Sequence, residues 1–228
     1  MKNKLLSVLF GVALAVLVLT AAIGLPIYVR PFYYAHINAL DMPEYTGHTY
    51  EEIRDAYDEV LDFLTLPGRE FGSGVFPYSE EGKSHFADCK GLFTLNLVAL
   101  CLSAAVVITL FVLKRKRLFT PARPCGHPIS LWVGFSLLGL FGLLVMIVAA
   151  DFSAAFHVFH AIFFPGKDNW LFDPREDAII NVMPSQFFMN CGILIAGAII
   201  LTSIAMIVVP LVLQHRQSKK DTTNPPAK

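Results

Sequence analysis

The chain has 228 residues, 55% of them hydrophobic and 16% charged, with a formal net charge of zero and a mean hydropathy of +0.57. One soluble core of this length cannot bury that much apolar surface, so the chain is expected to face lipid. No basic surface is available to pair with phosphates, which excludes nucleic-acid binding as a primary role.

The apolar residues come in four blocks free of Asp, Glu, Lys, Arg and His: 5–23, 92–113, 129–150 and 187–213. At a rise of about 1.5 Å per residue even the shortest is long enough to cross a bilayer core, so each predicts a transmembrane helix. The charges are sorted along the chain. Lys2 and Lys4, the connection 114–128 and the tail 214–228 hold 11 of the 18 basic residues and a single acid, Asp221. By the positive-inside rule these parts are cytoplasmic, and 24–91 and 151–186 are extracellular. The expected architecture is an all-α integral membrane protein in one domain over 1–228, with four transmembrane helices and helical, aromatic-rich extracellular loops on the outer interface. It belongs in a plasma membrane, with both termini inside. The first block could also be a cleaved signal peptide. Its apolar run is longer than a usual signal core and continues through Leu25-Pro26-Ile27-Tyr28, so an anchor is expected.

In the first extracellular segment, Thr49-Tyr50-Glu51-Glu52 has the spacing of a capping box. The helix it opens carries Ile53, Tyr57, Val60, Leu61 and Leu64 on one face and is stopped by Pro67-Gly68. Its other face, with Glu51, Asp55, Asp58, Glu59 and Asp62, is expected to be solvated. A second helix starts after an N-cap at Ser79, has Glu80 and Glu81 in its first turn, and runs through His85, Asp88 and Cys89 into the second span. A transmembrane helix therefore holds His85 about one turn above the hydrocarbon. Gly134, Gly139 and Gly142 in the third span, and Gly192 with Ala196 in the fourth, are expected to allow close helix packing.

In the second extracellular segment, residues 152–164 contain five phenylalanines and two histidines and are too short to span, so they predict a helix at the interface. Pro165-Gly166 ends it, Asp168-Asn169-Trp170 makes a turn, and Asp173-Pro174-Arg175-Glu176 opens a short helix through Asn181 ahead of Pro184. The four cysteines make no disulfide framework; only Cys89 and Cys191, both near the outer interface, could bridge.

Three histidines stand out as chemistry. Asp88 lies three residues after His85 on one helical face, where a carboxylate could fix the ring tautomer and leave the other nitrogen as a base. His157 and His160 share a face among phenylalanines, a setting that keeps imidazole neutral. Their alternatives are bland: an interfacial histidine beside a solvated acid, and the polar edge of an aromatic helix. No His-Glu-x-x-His or paired-cysteine spacing points to a metal. Nucleophiles are poor, since Ser84 points away from His85, Ser153 is unsupported and no Gly-x-Ser-x-Gly elbow occurs. Arg175 could hold a lipid phosphate or carbonyl, or simply pair with Asp173 and Asp177. No intramembrane ionisable group suggests an ion-coupled transporter.

The run Phe159-His160-Ala161-Ile162-Phe163-Phe164-Pro165-Gly166, then Asn169-Trp170-Leu171-Phe172-Asp173-Pro174, Ile179-Ile180, Pro184 and Phe187-Phe188, resembles the bacterial four-span lipoprotein intramolecular transacylase (Lit) family. The piece Glu81-Gly82-Lys83-Ser84-His85-Phe86-Ala87-Asp88 looks like the same family's other histidine motif. With the shared topology, the resemblance covers nearly the whole chain.

The resemblance implies an acyltransferase that moves the sn-2 acyl chain of a diacylglyceryl lipoprotein to the α-amine of the lipidated N-terminal cysteine, leaving a lyso-form lipoprotein. It implies no cofactor, no metal and no acyl-enzyme, a lipoprotein substrate met in membrane lipid, and a monomeric protein. His85 and either His160 or His157 are then the acid and base, Asp88 orients His85, and Arg175, with Trp170 and Asp173 nearby, contacts substrate. The pattern places its histidine three residues before the paired phenylalanines, at His160. Two other classes stay open: a non-catalytic four-span scaffold, and a zinc-dependent membrane hydrolase.

Overall fold

The computed structural model describes residues 2–223; Lys228 of the expected cytoplasmic tail lies outside them. The described residues form eight α-helices: α1 (Lys2–Tyr28), α2 (Pro31–Ala39), α3 (Met42–Thr46), α4 (Tyr50–Thr65), α5 (Glu80–Arg115), α6 (Ile129–Ala150), α7 (Phe152–Phe163) and α8 (Ser185–Thr223). Two short 3₁₀ turns, Pro124–Gly126 and Ala178–Val182, complete them, and no strand is present among these residues. α1, α5, α6 and α8 are long and apolar enough to cross a membrane, as the four charge-free blocks predict.

The helices outrun those blocks. α1 continues through Pro26 to Tyr28, and α8 continues through Gln214 to Thr223. The residues after 213 are polar but include good helix formers, Gln, Arg and Lys, so apolar content ends before helicity does. α5 starts twelve residues before its charge-free block. Ser79 is its cap: Oγ accepts from Gly82 N–H at 2.9 Å. Glu80, Glu81, Lys83, His85, Asp88 and Lys90 therefore sit on a helix but outside the apolar block.

The chain gathers into two compact units. The first takes in the beginning of α1, Ala99–Met146, and α8 from Ala196 on. Here Ser7 Oγ accepts from Ala122 N–H at 2.8 Å. Of the glycines expected to admit close packing, Gly134 does so: a Cβ there would lie 2.9 Å from the Ser203 carbonyl oxygen on α8. Gly139, Gly142 and, in the other unit, Gly192 face open space. Small residues permit close approach; only the helix rotation decides which of them meets a neighbour.

The second unit takes in Ile23–Val98 and Ile147–Ile195. Its core joins the apolar face of α4 to α2, α3, Phe86 of α5, the Ala178–Val182 turn and Phe187. α4 has its capping box: Thr49 Oγ1 accepts from Glu52 N–H at 3.2 Å, and Glu52 accepts from Thr49 N–H at 2.8 Å. α2 and α3 carry no strong sequence signal beyond Pro31 at a first helical position and Pro43 in a first turn. They form because Tyr33, Ile37 and Met42 are buried against α4.

The acidic face of α4 is only partly solvated. Arg30 pairs with Asp58 at 2.9 Å and also with Asp62, Tyr34 Oη donates to Asp58 at 2.8 Å, and Glu59 accepts from Gly74 N–H at 2.8 Å. Arg30, Tyr34 and Gly74 lie outside α4, where helix periodicity gives no information; Asp55 instead pairs with its neighbour Arg54 at 2.8 Å.

The segment after Trp170 also departs from expectation. Asp173 caps a turn, with Oδ1 accepting from Arg175 N–H at 2.9 Å, but regular structure begins only at Ala178 as a 3₁₀ turn. The cause is Asp177. Its buried carboxylate accepts from Ser79 N–H at 2.8 Å and from Ser79 Oγ–H at 2.9 Å, which draws the chain to the start of α5. A Cβ at residue 82 would overlap Asp177 Oδ1, so Gly82 is what lets that carboxylate approach.

Candidate active site

The second unit brings together most of the polar chemistry singled out above. His85 lies in the second turn of α5, 7% exposed. Phe164 and Phe172 stand edge-on to its ring at 4.9 and 5.6 Å, and the ring of His160 is 5.8 Å away. Burial, then the neighbouring His160, pushes the His85 pKa down to about 4, with Lys167 acting the same way and Asp88 and Asn169 opposing. His85 is therefore a neutral base at pH 7.

His160, on α7, is 6% exposed and sits under a stacked Trp170 at 4.2 Å and 23°. α7 itself is opened by Asp151, whose carboxylate accepts from Ala154 N–H at 2.9 Å. Nδ1 of His160 lies 2.8 Å from the Phe156 carbonyl oxygen. A carbonyl only accepts, so Nδ1 carries the proton and Nε2 keeps a free lone pair. Burial lowers the pKa of this ring too, against the pull of the Phe156 carbonyl.

His157 shares the α7 face by sequence spacing but is exposed. Its Nδ1 meets the Ser153 carbonyl at 2.8 Å and its ring meets the edge of Trp170 at 5.1 Å. Two of the three histidines thus form a buried pair, and the third stands outside it.

Asp88 does not bond His85. Lys167 donates to both its oxygens, at 2.6 and 2.7 Å, and Asn169 Nδ2 donates to it at 3.3 Å. The Lys167 ammonium holds this carboxyl below the usual carboxylate range. The spacing from His85 to Asp88 allows a helical contact, but Lys167 offers a full charge and wins. Asn169 and Lys167 are the residues the sequence reading leaves out. Lys167 is signalled only by its place in the turn after Pro165-Gly166, and Asn169 by that turn and by opening the family-like run Asn169-Trp170-Leu171-Phe172-Asp173-Pro174.

Cys89 is a further neighbour that sequence alone does not single out. Its Sγ lies 3.4 Å from His85 Nε2, one helical turn on. A nucleophilic cysteine needs a lowered pKa and a protonated imidazole partner. Burial instead pushes the Cys89 thiol up to about 12 while it pushes His85 down, so both groups are neutral. All four cysteines are free, including Cys89 and Cys191.

The remaining expected site residues lie at the edge. Trp170 is half-buried and donates its indole N–H to the Lys167 carbonyl at 3.1 Å. Asp173 and Arg175 are exposed, and Arg175 makes no side-chain ion pair among the described residues. Ser84 Oγ is 3.5 Å from Asn169 Nδ2 and not aimed at a reacting group. Two buried polar atoms here have no hydrogen-bond partner among the described residues: His85 Nδ1 and Asn169 Oδ1. The Asn169 amide is nonetheless close enough to His85 to favour its protonated form.

The arrangement can accept and return protons at two imidazoles buried among aromatic rings. Its neutral imidazoles suit an amine and an ester far better than a charge-relay nucleophile.

A family model described as "Lipoprotein intramolecular transacylase Lit" matches residues 8–188. No curated protein matches the chain. Among solved structures, the membrane integral lipoprotein intramolecular transacylase Lit from Bacillus cereus is similar with a TM-score of 0.82 and 22% identity, covering 98% of this chain and 99% of that one. Two further structures of the Bacillus cereus protein, one with an H85R and one with an H85A mutation, each match at a TM-score of 0.76 and 22% identity. They cover 96% of this chain and 95% and 96% of theirs.

Proposed function

The chain belongs to the lipoprotein intramolecular transacylase Lit family, a family of membrane-integral acyltransferases, and from that premise we propose the following reaction and residue roles. The substrate is a diacylglyceryl lipoprotein. The sn-2 acyl chain moves to the α-amine of the lipidated N-terminal cysteine, and the product is the N-acyl, S-monoacylglyceryl lyso-form. The reaction runs on the extracellular face, with both termini in the cytoplasm, as the sorted charges support.

The buried pair of neutral imidazoles, His85 and His160, carries this reading. An α-ammonium has a pKa of about 7.7–8.0 and must shed protons before and during attack. Its three N–H protons have three fates: one remains on the amide nitrogen, one goes to the departing glyceryl oxygen, and one leaves to solvent. His160 takes the first proton at Nε2, the nitrogen that the Phe156 carbonyl leaves free. The amine nitrogen then bonds the ester carbonyl carbon, and His85 takes the second proton as that bond forms. The tetrahedral centre collapses, the carbon–oxygen bond to glyceryl breaks, and His160 returns its proton to that oxygen. His85 passes the other proton to water, a favourable step for a ring whose pKa lies near 4.

No acyl-enzyme is required. Ester and amine are on one molecule, and aligning them alone is worth about 7–11 kcal/mol in favourable intramolecular cases. The neutral, high-pKa thiol of Cys89 supports the same conclusion. Trp170 packs over His160 and shields that face of the ring from water. In this reading Arg175, exposed near Asp173, meets the lipid or peptide part of the substrate. Asp88 bonds Lys167 and Asn169 and acts on His85 by charge alone, without a hydrogen bond.

Because the transfer leaves the mass unchanged, the test is tandem mass spectrometry of the N-terminal peptide of a diacylglyceryl lipoprotein incubated with the purified protein. One acyl chain is expected on the amine with wild type and none with His85→Ala or His160→Ala. A free amine throughout would remove the transacylase reading. Transfer that survives both substitutions would leave the activity but remove the histidine mechanism.

A further inference from the structure

Asn169 is buried at its carbonyl oxygen, and its orientation is dictated from outside the pair of histidines. A carboxylate only accepts, so the Asp88 oxygen 3.3 Å away selects Nδ2 as the neighbouring amide atom. Asp88 is in turn fixed by the two short bonds from Lys167. Oδ1 must then face the other way, where it is buried without a partner.

His85 presents a matching acceptor. The Asn169 amide is near enough to favour a protonated ring, but Nδ1 itself makes no hydrogen bond, whereas a proton on Nε2 faces the sulfur of Cys89 at 3.4 Å. With the proton on Nε2, Nδ1 offers a lone pair. Ser84 and Asp88, which flank His85 on α5, both lie within 3.5 Å of the Asn169 amide, so the two orphaned acceptors belong to one small region. Two buried acceptors without a donor call for a group that carries several N–H bonds and few or no lone pairs. A primary ammonium is such a group. Phe164 and Phe172 stand beside the same ring, so a hydrogen bond formed there meets little competition from water.

We propose that Asn169 Oδ1 and His85 Nδ1 together seat the α-ammonium of the substrate, with Asn169 as an amine-recognising residue positioned by Asp88 and Lys167. This rests on the transacylase reading for the identity of the amine. The seat opens by movement of the 165–172 loop off α5. The Lys167–Asp88 pair that ties them is about half exposed on the Lys167 side, 48% against 25% for Asp88, so water lowers the cost of parting it.

The test separates binding from chemistry. Two lipopeptides with ether-linked glyceryl chains cannot transfer an acyl group; one keeps a free α-amine and the other is N-acetylated. Affinities of both are measured at pH 7 for the full-length protein, for Asn169→Ala and for the near-isosteric Asn169→Leu. Wild type is expected to prefer the free amine by about tenfold or more, the scale of a hydrogen bond to a charged group. Both variants should lose that preference and keep the wild-type affinity for the N-acetyl analogue, which also reports that they are folded. The seat is overturned by no preference in wild type, by an undiminished preference in either variant, or by an equal loss of both ligands. Amine preference in a protein that transfers nothing from the ester substrate would remove the transacylase reading and leave the seat. Transfer with a preference indifferent to Asn169 would do the reverse.

Discussion

The packing around Tyr33 and the packing around His85 use the same materials and finish them differently. Tyr33 is fully buried, stacked on Tyr57 at 3.5 Å and edge-on to Phe187 at 5.1 Å, and its hydroxyl donates to the Val182 carbonyl at 2.7 Å. His85 is also buried among aromatic rings, yet its Nδ1 has no partner. A buried polar tip that is satisfied contributes to the fold, while one left open costs stability and is retained where a ligand completes it. In the proposed reading the first region is scaffold and the second is site.

The largest effect should come from the site. His85→Ala and His160→Ala should each lower transfer by about 10²–10⁴-fold, the usual scale for a general acid or base, with little change in unfolding temperature. A large drop in unfolding temperature alongside would dissolve the distinction from Tyr33. Next is Gly82→Ala. Its Cβ would displace Asp177 from Ser79, and overpacking of this kind costs about 1–3 kcal/mol, readable as a lowered unfolding temperature. Tyr33→Phe is the converse of the histidine variants: loss of a buried hydrogen bond costs about 1–2 kcal/mol, while the transfer rate per folded molecule should hold.

pH sharpens the same contrast. The His85 ring has a pKa near 6.5 when unfolded and about 4 when folded. Between those values the unfolded chain binds more protons, so the stability it retains above pH 6.5 is lost as pH falls through 4. Thermal unfolding should show that slope in wild type and a weaker one in His85→Ala. The acid limb of kcat/KM should follow the substrate amine rather than an imidazole near 6.5. The smallest effect is expected for His157→Ala, because the ring is exposed; a stability change within about 0.5 kcal/mol and retained transfer would confirm that only two of the three histidines form the pair.

Much of this molecule is legible locally. The four apolar blocks, the capping box at Thr49–Glu52 and the Ser79 cap ahead of His85 each depend on neighbours within a turn or on length, and the structure has each of them. α2 and α3 were not legible, because Tyr33, Ile37 and Met42 gain their helical setting from burial against α4 rather than from periodicity. At the site, burial of His85 and His160 fits the aromatic run around them, but nothing local separates His160 from His157; the rotation of α7 under Trp170 does.

By itself, the sequence determined that the chain carries four helices able to cross a membrane, where the flanking helices are capped, and which side chains could do acid–base chemistry. Those are properties of hydrophobic length and of backbone groups meeting side chains a few residues away. Only the tertiary structure decided that Asp88 answers to Lys167, 79 residues away, instead of to His85, three residues away. The physical reason is that a carboxylate takes the strongest donor within reach, and chain topology alone sets what is within reach.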